Sequence, residues 1–121
     1  MRLAVVGSTK FHKDERAKDW AASYIQRVLN KYEPEVVISG GAIGIDQLAA
    51  TLAAFEDIKV IEHLPFKPEW YYYKKRNILI AQDCTHLLAV KHYCSTTNGS
   101  GWTADYAESI GKTVKRIRYE I

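Results

Sequence analysis

VVISGGAIGIDQLAATLAA, residues 36–54, passes from a short apolar run through a glycine-rich break into a helical pattern. Val36-Val37-Ile38 has the unbroken apolar character of a strand buried on both faces. Ile45, Leu48, Ala49, Leu52 and Ala53 then recur at spacings of three and four, the mark of one helix face. Between the two lie Ser39, Gly40, Gly41 and Gly44, with Asp46 in the first turn of the helix. Glycine allows positive φ and close backbone approach, so this break asks for a reason beyond a plain turn.

The same alternation extends in both directions. Met1–Val6 reads as a first strand that ends in the turn Gly7-Ser8-Thr9, and Asp14–Lys31 reads as a helix with Asp14 as its N-cap and Glu33-Pro34 as its close. Downstream, Lys59–Glu62 is a third strand, broken by Pro65 and Pro68. Glu69–Asn77 is irregular or begins a helix that runs on through Ile78–Gln82. Thr85–Val90 is a fourth strand, Tyr93–Gly101 a loop, Thr103–Ile110 a short helix ended by Gly111, and Val114–Tyr119 a last strand. Strands alternating with helices predict an α/β fold: an open parallel sheet of about five strands with helices on both faces, three layers in all. The last strand alternates Ile117, Tyr119 and Ile121 with Arg116, Arg118 and Glu120, which predicts an edge position.

Bulk properties agree with one compact domain over residues 1–121. The chain is 47% hydrophobic and 26% charged, as in ordinary globular proteins. No apolar run approaches the ~18 residues of a membrane span, and no signal segment is evident, so a cytoplasmic setting without a membrane partner is expected. A net charge of +3 is too mild to imply nucleic acid on its own. Cys84 and Cys94 make no disulfide framework. Cys84-x-His86 and His92-x-Cys94 lack the spacing of zinc knuckles, so neither a metal nor any other required cofactor is expected.

In an open parallel sheet, ligands bind beyond the carboxyl ends of the strands at the topological switch point. Three runs of small residues are expected there: Gly7-Ser8-Thr9, Ser39–Asp46 and Gly99-Ser100-Gly101. Each is expected to open a helix, whose N-terminus offers free N–H groups and partial positive charge. Together they would cradle a phosphate, with Ser8, Thr9, Ser39, Ser100 and Thr103 adding hydroxyls. One such glycine turn is ordinary chain geometry; three at one sheet edge are less easily so.

Ser39-Gly40-Gly41-Ala42-Ile43-Gly44-Ile45-Asp46, followed by Ala49-Ala50, resembles the SGGAxGxD signature of the SLOG superfamily of Rossmann-like domains. That superfamily includes the DNA-processing protein A (Smf) core, the LOG phosphoribohydrolases and small stand-alone members. Gly7-Ser8 resembles its opening glycine turn, Arg76-Asn77 its "RN" pair, and Gly99-Ser100-Gly101-Trp102-Thr103-Ala104 its second glycine loop, so the likeness covers nearly the whole chain. The hydrolase branch places a catalytic glutamate three residues after the loop threonine; here that position is Tyr106, flanked by Asp105 and Glu108.

The resemblance implies a domain that binds a nucleotide or nucleotide-derived ligand through its phosphate and ribose, as a sensor or carrier. The expected ligand-binding residues are Gly7, Ser8, Thr9, Ser39, Gly40, Gly41, Ala42, Gly44, Asp46, Arg76, Asn77, Gly99, Ser100, Gly101 and Thr103. Arg76 supplies the fork of donors suited to phosphate. Asp46 either bonds ribose hydroxyls or caps local N–H groups. The resemblance also implies an alternative use, cleavage of an N-glycosidic bond in a nucleoside phosphate, with Asp46, Asp105 or Glu108 assisting and no catalytic residue assigned. The second reading is a single-stranded nucleic-acid-binding module, motivated by Trp70–Tyr73 beside Lys74, Lys75 and Arg76. Those rings equally suit a core edge or the interface of a homo-oligomer.

Overall fold

The computed structural model describes residues 1–96 and 99–121. Five strands, β1 (Arg2–Gly7), β2 (Val36–Ser39), β3 (Lys59–Glu62), β4 (His86–His92) and β5 (Thr113–Tyr119), form one all-parallel sheet in the order β3-β2-β1-β4-β5. Helices α1 (Glu15–Tyr32) and α2 (Ile45–Phe55) cover one face; α3 (Trp70–Asp83) and α4 (Gly99–Ser109) cover the other. The α/β three-layer architecture is the one the sequence predicts. The order reverses between β1 and β4, so the switch point lies at their carboxyl ends.

Burial follows the pleat. Leu3, Val5, Val37, Leu88 and Val90 join Phe11, Ala21, Ile25 and Leu29 in one core layer. Ala4, Val6, Val36, Ile38, Leu87 and Ala89 meet Ile80, Ala81, Ala104 and Ala107 in the other. Central strands are therefore apolar on both faces, whereas β5 pairs only with β4 and keeps its arginines exposed. Asp14 caps α1, its side chain accepting from the Ala17 N–H at 3.1 Å.

Two boundaries differ from the expected ones, and a third, the start of α3, takes the helical of its two readings. Thr9–Lys13 forms a 3-10 turn ahead of α1, capped by Ser8 and driving Phe11 fully into the core. The first glycine turn thus opens this 3-10 turn rather than a long helix. Arg76 and Asn77 lie in the middle of α3, which begins at Trp70. Gly99-Ser100-Gly101 is not a loop: it is the first turn of α4, fastened by the Thr103 hydroxyl to the Gly99 carbonyl at 2.9 Å. The intervening positions 97 and 98 of the expected Tyr93–Gly101 loop lie outside the described residues. No described helix is long and apolar enough to cross a membrane.

Candidate functional site

A cavity of about 720 Å³ opens at the carboxyl edge, over the ends of β1 and β2 and between α3 and α4. That volume lies within the usual range for small-ligand sites. Of the residues expected from sequence, Gly7, Ser8, Thr9, Gly40, Gly41, Ala42, Asp46, Arg76, Asn77, Gly99, Ser100 and Thr103 line it. Ser39, Gly44 and Gly101 do not form part of the lining. The lining also takes in Leu64, Pro65, Trp70, Tyr73 and Trp102.

Gly7, Gly40 and Gly44 are held by the chain's own packing. A Cβ at Gly7 would sit 2.5 Å from the Val90 carbonyl oxygen and 2.6 Å from Ile45. At Gly44, φ is +89° and a Cβ would sit 2.7 Å from the Ser8 carbonyl oxygen. At Gly40 it would meet the Arg76 guanidinium at 2.6 Å and the Asp46 carboxyl at 2.7 Å. The close approach read from the sequence is real, but the approaching groups belong to β4, α2, α3 and the Ser8-Thr9 turn.

Asp46 stands at the centre of this arrangement. It is 6% exposed, and the backbone N–H groups of Gly7, Ala42 and Gly40 face its carboxyl. Burial pushes its pKa up to about 6, against the pull of Arg76 and those amides. The amide cradle expected to hold a phosphate is thus turned towards a carboxylate of the chain itself. Ser39 is committed as well: its hydroxyl donates to the Asp46 carbonyl at 3.0 Å and accepts from the Gly41 N–H at 3.1 Å. The Ser8 hydroxyl caps the 3-10 turn, accepting from the Lys10 N–H at 3.1 Å. Three of the five expected hydroxyls, those of Ser8, Ser39 and Thr103, are therefore engaged internally.

Arg76 is half-buried and held in place. Its Nη1 donates to the Gly40 carbonyl at 2.6 Å and its Nε to Asn77 Oδ1 at 2.7 Å. Burial draws the guanidinium below its ordinary pKa, with Asp46 and Tyr73 opposing. Among the described residues Nη2 has no hydrogen-bond acceptor, which leaves one donor edge of an oriented cation at the cavity wall. Asn77, 5% exposed, positions Arg76.

The other carboxylates considered from sequence lie elsewhere. Asp105 and Glu108 both bind Arg116 of β5, at 2.8 and 3.2 Å, on the exposed side of α4. Tyr106 stacks on Trp102 with ring centroids 5.5 Å apart. Asp46 is thus the one of the three that lines the cavity. Cys84 is buried in the α3–α4 core layer and Cys94 is exposed. Among the described residues no three His, Cys, Asp or Glu side chains gather as metal ligands.

Comparison with solved structures places the architecture. The chain superposes on TM1055, a structural-genomics target, with a TM-score of 0.71 at 17% identity, over 93% of this chain and 71% of that one. It superposes on DNA processing protein A from Streptococcus pneumoniae with a TM-score of 0.58 at 18% identity, over 94% of this chain. The chain shares the Rossmann-like α/β fold of these two structures. At such identity the likeness is one of fold, and the chain spans 58% of the length of DNA processing protein A. No protein-family model matches the chain, and no curated protein matches it in sequence. The Rossmann-like fold was legible from the strand–helix alternation around the 39–46 motif; Trp70 and Tyr73 were read only as part of a nucleic-acid face, a core edge or an oligomer interface, and Trp102 as a lining residue was missed, because its convergence with them depends on how α3 docks against α4.

Proposed function

We propose that the chain is a single domain, residues 1–121, that binds a nucleotide or nucleotide-derived ligand at the carboxyl edge of the sheet. One observation carries the reading: an open cavity at the β1/β4 switch point receives the outward edge of the fixed Arg76 guanidinium and the first turns of two helical segments. The first-turn amides of α4, whose Gly99 and Ser100 line the cavity, add partial positive charge there. The ligand's phosphate meets Arg76 and these amides; its ribose lies near Asn77 and Ser100. Binding without reaction is favoured over N-glycosidic cleavage, because Asp105 and Glu108 face Arg116 and Asp46 is enclosed by backbone amides. The setting is cytoplasmic, and no cofactor is needed.

A thermal-shift panel of nucleoside mono-, di- and triphosphates, NAD and ADP-ribose tests this. A ligand at ~100 times its dissociation constant stabilises the folded state by ~2.7 kcal/mol, several degrees for a domain of this size. The shift is expected to vanish in Arg76→Ala and to persist in part in Arg76→Lys, which keeps the charge and loses the fork. Release of ribose phosphate from a monophosphate would move the reading to hydrolysis.

A second reading rests on the likeness to DNA processing protein A and on Lys74 and Lys75 beside the ring-rich start of α3. It makes the site a single-stranded nucleic-acid interface. It predicts oligonucleotide binding that weakens steeply with salt. The half-exposed rings of Trp70 and Tyr71 also suit a homo-oligomer, for which size measurement in solution is the check.

A further inference from the structure

The cavity has a second end that the phosphate reading does not use. Trp70, the first residue of α3, and Trp102, in the first turn of α4, line the same wall with ring centroids 5.8 Å apart and planes at 89°. Tyr106 backs Trp102 in a parallel stack, and the Lys74 ammonium lies 5.8 Å from the Trp102 ring. Tyr73 continues the wall, with the Arg76 guanidinium 5.4 Å from its centroid, and Leu64 and Pro65 complete it.

Neither indole belongs to the two core layers, and Trp70 is 51% exposed. Large rings left at a cavity wall cost solvation unless something covers them. Trp70, Tyr73 and Asn77 follow one stripe of α3 at helical spacing, so the wall leads from the indoles to Arg76. Arg76 lies six positions after Trp70 on α3, about 9 Å of helical rise, which leaves room for a pentose between a stacked ring and the guanidinium.

We propose that Trp70 and Trp102 form a base-recognition corner, taking the planar heteroaromatic ring of a nucleotide whose phosphate lies at Arg76. This deepens the nucleotide reading and rests on it. A flat ring in the corner stacks on one indole and meets the other at right angles, both favourable aromatic geometries. The site therefore selects base-bearing nucleotides over sugar phosphates. The base comes either from a free nucleotide or from a strand; the chemistry recognised is the same.

The test titrates the purified protein with adenosine, guanosine, cytidine and uridine 5′-monophosphates, ribose 5-phosphate and a thymidine oligomer, by calorimetry and tryptophan fluorescence. The third tryptophan, Trp20, packs on Tyr24 and Tyr119 in the other layer and gives a constant background. Stacking one base on one ring changes affinity by roughly 5- to 150-fold. At least one monophosphate is expected to bind about ten-fold or more tightly than ribose 5-phosphate and to quench the indoles. Trp70→Leu and Trp102→Leu remove that advantage and leave ribose 5-phosphate binding unchanged, while Trp102→Phe, which keeps a ring, restores most of it. Equal affinity for monophosphates and ribose 5-phosphate in the unaltered protein overturns the corner and spares the phosphate end. Equal weakening of both ligand types by the leucine variants, or by Trp102→Phe, also overturns it. Tryptophan-dependent binding of the oligomer alone supports the corner and assigns its base to a strand. No binding of any probe overturns the corner and the nucleotide reading together.

Discussion

The two glycine-containing segments that flank the cavity look alike in sequence and behave oppositely in space. In residues 39–46, a Cβ added at Gly40 or Gly44 runs into another part of the chain, and the same holds at Gly7 across the gap. In the first turn of α4, a Cβ added at Gly99 meets no described residue within 4 Å. One segment is glycine-rich because α2, α3 and the Ser8-Thr9 turn press against it. The other, at Gly99, has open space among the described residues. Glycine in a phosphate-loop pattern is therefore two signals in one letter, and only the neighbours tell them apart.

Gly7→Ala is the strongest attempt to break this contrast. Its Cβ would strike the Val90 carbonyl and Ile45, both parts of the core and neither a flexible tip. The expected loss is about 3 kcal/mol, at the upper end of overpacking costs. Chemical denaturation reads it directly; a loss under about 1 kcal/mol would mean that the packed segment has the slack of the open one.

Asp46→Asn probes what the packed segment encloses. A carboxyl at about 6 in the folded state, against 3.8 for the free side chain, binds its proton more tightly when folded. Its favourable contribution is full below about pH 4 and is lost as pH rises through about 6. From about pH 4 to about pH 7, the stability difference should shift towards Asp46→Asn by on the order of 2–3 kcal/mol. Reading the difference between the two proteins cancels the opposite slopes of Asp14 and Asp83, whose partners His92, His63 and Arg2 hold their carboxyls below the usual range. A flat difference would place Asp46 in contact with water.

Gly99→Ala has the smallest effect and sharpens the comparison from the open side. Alanine is the better helix former by up to about 1 kcal/mol, so stability is unchanged or slightly raised. A nucleotide that shifts the unaltered protein but not Gly99→Ala would show that the open space is ligand space; stability and binding lost together would erase the distinction.

Much of the fold was written in local pattern. Five strands, their alternation with helices, the Asp14 cap and the edge character of β5 all depend on residues within one element or its neighbours. What escaped depends on distant contacts. Five residues around Phe11 carry no periodic signal, and Phe11 is buried only because α1, β4 and β5 surround it. Gly99-Ser100-Gly101 has poor helix propensity and reads as loop, yet docking of α3 on α4 draws it into a helix. Within the site, Arg76, Asn77 and the lining glycines were legible as a set. The partner of the amide cradle was legible only as one of two readings, Asp46 as a cap of local N–H groups or as a ribose contact, because the sequence does not say which way a carboxylate turns.

The tether of Arg76 has a kinetic meaning. Its guanidinium is anchored to the Gly40 carbonyl and to Asn77 before any anion arrives, so the side-chain torsions are already frozen. Little ordering remains to be done at the moment of encounter. Ligands of different quality then arrive at similar rates and separate by how long they stay, which makes residence time the quantity in which this site discriminates.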